Sequence, residues 1–170
     1  YAAARTAFSR CVALCQRQDM QQIQTMRTLA KAFARLGDVC CHQSDAQGAC
    51  QAFEQAMSLW ERVLEQQSDA QTVVALCQAI QKHACSAVQA EKEDALQIAD
   101  DALQRIEPMT QHSTSALVWQ SCAYVYGARA KLQSPSRQSV ADYQHAARLW
   151  RELYELTYEE NFRTEEKQAM

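Results

Sequence analysis

The chain has 170 residues, a formal net charge of −3, and only three Gly and two Pro. So few turn residues, in a composition led by Ala, Gln, Leu, Glu and Arg, exclude a hairpin-rich β architecture and point to an all-α fold. Charges of both signs are interspersed and no apolar run approaches a membrane span, so neither a nucleic-acid nor a membrane partner is expected.

Apolar residues at helical spacing predict seven helices, near 2–18, 21–42, 46–67, 70–91, 93–107, 113–133 and 136–158. Turns are expected at Gln18-Asp19, Gln43-Ser44-Asp45, Ser68-Asp69 and Lys92, from Pro108-Met109 to Ser113, and at Ser134-Pro135-Ser136. Ser44, Ser68 and Ser136 are the expected N-caps, because a hydroxyl there can accept from free helix amides. Pro108 is expected to end its unit. Residues 1–158 read as one domain, and 159–170 as a polar acidic tail or the start of a further helix. The start, Tyr1 to Cys11, lacks the apolar core of a signal peptide and has no initiator Met, so the chain is read as a section of a longer protein.

A recurring pattern runs through these helices. Ala49, Phe53 and Ala56 share one helical face, and Ala4-Phe8-Cys11, Ala95-Ala99-Ala102 and Ser139-Tyr143-Ala146 repeat it. Their middle members lie 45, 46 and 44 residues apart. Leu36-Gly37 precedes the second triplet much as Tyr126-Gly127 precedes the last, and glycine at such a point lets a neighbouring helix cross closely.

Phe33, Leu36, Gly37, Ala49, Phe53 and Ala56, with Cys40 in place of the usual Tyr, resemble the tetratricopeptide repeat family. Lys82-His83 replace Leu-Gly in the next repeat; the last keeps Tyr126, Gly127, Tyr143 and Ala146. Spacing near 45 rather than about 34 implies longer helices, similar to the elongated repeats of kinesin light chains and bacterial regulators. Other helical-pair repeats are the fold alternative. The resemblance implies a right-handed α-α superhelix of antiparallel helices, with ligands held on the concave face of the first helix of each pair. Carried onto this chain, that face comprises Lys31, Arg35, Asp38 and His42, then Ile80, Gln81, Ala84 and Val88, then Tyr124, Ala128 and Lys131. Such a groove suits a protein or peptide partner with an acidic segment followed by apolar anchors.

The eight Cys fall inside helical patterns, so they read as reduced core side chains of a cytoplasmic protein. Cys40-Cys41-His42 with Cys50, and the Cys11-Cys15 pair, lack the converging spacing of a zinc site, so no metal and no cofactor is expected. His83 and Cys85 point to different helix faces, and no phosphate loop or paired carboxylates appear. No enzyme activity is expected. Trp60, Trp119 and Trp150 are expected in the core between layers. The leading expectation is an interaction scaffold; the alternatives are a sensory or regulatory module of a larger regulator and a self-assembling segment.

Overall fold

The computed structural model describes residues 1–17, 21–133 and 135–169, with side chains to Thr157 apart from Leu156. Its helices are α1 Ala2–Cys15, α2 Ile23–His42, α3 Ala46–Gln66, α4 Ala70–Gln89, α5 Ala95–His112, α6 Ala116–Leu132 and α7 Arg137–Ala169. No strand occurs among the described residues, so the chain is all-α. The expected turn at Gln18-Asp19, and Ser134 of the last turn, lie outside the described residues. No described helix is long and apolar enough to cross a membrane. Helix α7 runs on to Ala169.

The turns correct three expectations. Ser44 adopts a left-handed conformation, φ 58°, and the following Asp45 amide donates to the Cys40 carbonyl at 2.9 Å, closing α2. A residue used that way cannot begin α3. Asp45 caps it instead, its carboxylate accepting from the Gly48 amide at 2.9 Å. Likewise Asp69, not Ser68, caps α4 by accepting from the Thr72 amide at 2.9 Å. Ser136 does cap α7, accepting from the Ser139 amide at 3.0 Å. Pro108 lies inside α5 rather than ending it. It is exposed, and the turn around it is anchored on both sides. Glu107 accepts from the Tyr126 hydroxyl, and the Met109 sulfur lies 3.2 Å from the Cys77 thiol.

Neighbouring helices pack in antiparallel register. Cys40 clusters with Ala49 while Gly37 meets Phe53, so α2 and α3 run in opposite directions. In α6 and α7, Ser139 donates to the Ala130 carbonyl at 3.0 Å and Arg129 meets Asp142. Alternate helices run alongside in the same direction. Arg27 of α2 bonds Asp69 and Thr72 at the start of α4, Asp38 meets Lys82 at 2.6 Å, and the Cys41 thiol lies 3.9 Å from the Ser86 hydroxyl. These partners are 42 to 45 positions apart. Arg105 of α5 reaches back to Glu61 and Met57 of α3, 44 and 48 positions away. Helix α6 then packs on both α4 and α5.

Gly37 sets a close crossing between α2 and α3. A Cβ there would lie 2.6 Å from the ring of Phe53, which is 1% exposed and has nowhere to go. The matching crossing at the other end differs. A Cβ on Gly127 would meet nothing within 4 Å, because Tyr143 turns outward and is 46% exposed. Trp60 is in the core at 5%, as expected, whereas Trp150 is 38% exposed. Helix α4 closes over α3, and no described helix closes over α7 in that way. Trp119 is half-buried and donates its indole N–H to the Ser113 carbonyl at 3.0 Å.

Arg129 joins the last three helices. It meets Asp142, 1% exposed, through Nε at 2.7 Å and Nη2 at 2.6 Å, and reaches Asp100 of α5 at 2.9 Å. Removing the guanidinium leaves a buried carboxylate without its counter-charge. Arg129→Ala is therefore expected to lower unfolding stability by about 3–5 kcal/mol. The two glycines should respond oppositely in urea unfolding. Gly37→Ala overpacks Phe53 and loses about 1–3 kcal/mol; Gly127→Ala gains about 0.5–1 kcal/mol from helix propensity alone. Equal shifts would remove the distinction drawn between the two crossings.

Candidate docking face

Two shallow hollows lie along the exposed faces of α2, α4 and α6. The first, about 560 Å³, is lined by Lys31, Arg35 and Asp38 of α2 and by Gln71, Gln78 and Lys82 of α4, with Leu117 of α6 at its margin. Its charges are organised around one carboxylate. Asp38 holds Lys82 at 2.6 Å and Arg35 at 3.4 Å, while the Lys82 ammonium also sits 5.5 Å from the centre of the Phe53 ring. One carboxylate thus serves two cations. Lys31 adds a third charge on the same wall, and no carboxylate among the described residues pairs with it.

The second hollow, about 610 Å³, lies between α4, α6 and α7. Gln81, Cys85 and Val88 of α4 face Tyr124, Gly127, Ala128 and Lys131 of α6, and Tyr143, Ala147 and Trp150 of α7 complete it. Its space comes from what is missing at two positions. Gly127 has no side chain to fill it, and the outward Tyr143 forms a wall instead of a plug. Tyr124 packs edge-on against Trp150, ring centres 5.1 Å apart, which makes an aromatic floor. Lys131 supplies the only cation among the lining side chains described.

Eight of the eleven residues carried onto this face line the hollows: Lys31, Arg35 and Asp38 in the first, and Gln81, Val88, Tyr124, Ala128 and Lys131 in the second. His42 does not. It stacks on Tyr1 at 5.0 Å at the far end of α2, next to α1. Ile80 and Ala84 are also absent from the lining, since both are buried in the core. Lys82, Gln78 and Trp150 were missed. Lys82 read as a break in the Leu-Gly pattern, yet its ammonium reaches Asp38 of α2 at 2.6 Å and lies over the Phe53 ring of α3.

Most thiols serve packing. Cys15, Cys40, Cys50, Cys77 and Cys122 are buried, Cys41 is exposed, and none of the eight is paired in a disulfide. Burial pushes the Cys77 thiol up to about 11 and Cys122 up to about 12, which keeps both protonated at neutral pH. Among the described residues no cluster of three or more His, Cys, Asp and Glu could hold a metal ion. Cys85 lines the second hollow and His83 does not. Comparison with family models, with curated proteins and with solved structures finds no match.

Burial lowers the pKa of His83 below its ordinary 6.5, with Lys92 and Arg105 acting the same way and Glu54 and Asp94 opposing. The unfolded chain therefore takes up this proton first as pH falls. Both states are neutral at this site at pH 7.5, so its full contribution is present there and is lost below the unfolded value. Stability should decline between pH 7 and pH 5 by less than about 1.4 kcal/mol per pH unit from this group. His83→Gln should flatten part of that decline in urea titrations; an unchanged slope would remove His83 as its source.

Proposed function

We propose that this chain is a tetratricopeptide-like helical-repeat scaffold, working without catalysis in the cytoplasm, whose α2–α4–α6 face holds a peptide or partner helix. The partner carries an acidic segment followed by apolar or aromatic anchors. The acidic segment lies over Lys31, Arg35 and Lys82, and the anchors enter the hollow floored by Tyr124 and Trp150.

The observation that carries this reading is the segregation of charge. Four cations and one carboxylate line the two hollows, in a chain whose net charge is −3. Cations gathered on a shallow, small-residue surface favour an acidic ligand by complementary potential. The architecture supports the same reading. Side chains that reach partners 42 to 48 positions away, on alternate helices running in the same direction, are what a repeat of about 45 residues produces. Such a stack aligns the faces of its alternate helices into one surface able to follow an extended ligand.

Peptides selected from a random displayed library on the immobilised chain test this. Enrichment in Asp and Glu followed by Leu, Phe or Trp is expected, with affinity falling as salt rises. Lys31→Glu with Arg35→Glu should weaken the selected peptides at least tenfold while leaving the melting temperature unchanged, since both side chains are exposed. Selection of peptides without acidic residues, or undiminished affinity in the double variant, would contradict the proposal.

A further inference from the structure

A smaller recess, about 190 Å³, adjoins the first hollow between α2 and the start of α4. Gln24, Arg27 and Lys31 line it from α2, Gln71 and Thr72 from α4, and Trp60 from α3. All six side chains carry an N–H or O–H donor, and none is a carboxylate. Lys31, Trp60 and Gln71 line the first hollow as well, so they stand at the junction of the two spaces.

Part of this donor set is uncommitted. Arg27 gives Nη2 to Asp69 and to Thr72, while its Nε is buried without an acceptor. A buried donor of that kind is satisfied when an acceptor arrives. No hydrogen bond or ion pair with a described residue occupies the side chains of Gln24, Lys31 or Gln71. Positive charge is in surplus too. Asp69 balances Arg27, but in the adjoining hollow Lys31, Arg35 and Lys82 face Asp38 alone, three cations against one carboxylate, which leaves two positive charges. A carboxylate offers one negative charge and two oxygens in a plane. A phosphate monoester offers nearly two charges at neutral pH and three acceptor oxygens in different directions, which suits donors converging from two helices.

We propose that this recess binds a phosphate monoester, reading a phosphoserine or phosphothreonine within the partner's acidic segment. Lys31, Gln24 and Gln71 hold the phosphate oxygens, Arg27 adds its charge from the wall, and Arg35 and Lys82 take the neighbouring carboxylates. The proposal rests on the docking face described above, because the second hollow receives the residues that follow. Of the residues lining the recess and the first hollow, Leu117 alone is a large exposed apolar side chain. That is too little to enter a bilayer, so the phosphate belongs to a peptide and not to a lipid headgroup.

The test uses three peptide libraries with random flanks, identical except for one fixed central residue: Ser, Glu or phosphoserine. Each is passed over the immobilised whole chain. At pH 7.5 the phosphoserine library should be retained at least tenfold better than either other. The second ionisation of the phosphate falls near about pH 6 and that of Glu near about pH 4.3. The charged groups facing the site are Arg27, Lys31, Arg35, Lys82, Asp38 and Asp69, with no histidine lining either space. The advantage over Glu should therefore shrink to less than threefold at pH 5. Lys31→Met, at an exposed position, and Gln71→Leu should each remove most of it, with circular dichroism confirming the fold of both variants at both pH values. Equal retention of the Glu and phosphoserine libraries, or a preference untouched by both variants, overturns the phosphate site and leaves the acidic docking face standing. Retention of none of the three contradicts both readings. Binding to vesicles containing phosphatidylinositol phosphates, without retention of the phosphoserine library, assigns the recess to a membrane and overturns the proposal equally.

Discussion

The helices of this protein can approach one another only because bulk on one is matched by its absence on the next. The α2/α3 crossing shows the constraint most sharply: Phe53 occupies the volume that a side chain at position 37 would need. Ala49 and Ala56 flank the ring with no exposure at all, so the two backbones meet through small groups around one large one. The hydrophobic gain of burying Phe53, about 1.5–3 kcal/mol, depends on that close approach. At Gly127 the glycine stays but the aromatic turns away, and a hollow appears. One steric relation, met in two ways, shapes both the core and the surface above it.

Ion pairs then fix how alternate helices sit beside one another. Arg27 with Asp69, Asp38 with Lys82 and Arg105 with Glu61 each join helices that are not neighbours in sequence. Individually such partly exposed pairs contribute about 0–1 kcal/mol. Their main consequence is positional: Asp38 draws Lys82 to the rim of the first hollow and holds Arg35 at the longer distance of 3.4 Å. The buried contact between Arg129 and Asp142 differs in kind, since breaking it strands a charge with 1% exposure. It holds α7 in place against α6, and so sets Tyr143 and Trp150 beside the second hollow.

Much of this was legible in the sequence, for identifiable reasons. Seven helices in the right order follow from apolar spacing and scarce turn residues, and the Gly37–Phe53 crossing follows from their spacing within the motif. Cap residues were harder, because Ser44-Asp45 and Ser68-Asp69 each offer two candidate oxygens; φ at Ser44 decides the first, and nothing in composition reveals φ. Trp150 was misplaced in the core because periodicity reports which residues share a face, not whether another helix covers it. Trp60 and Trp150 have the same local sequence setting and opposite fates for that reason. His42 follows Asp38 at helical spacing, but Tyr1 stacks on it, a contact between distant positions that no local pattern encodes.

The central claim is that exposed faces of α2, α4 and α6 act together as one ligand surface. Hydrogen exchange of the chain with and without a bound acidic-then-apolar peptide tests it most directly. Protection should rise together in 31–38, 78–88 and 120–131, with little change in α3 and α5. Protection confined to one helix, or appearing on α3 and α5 instead, would contradict the account.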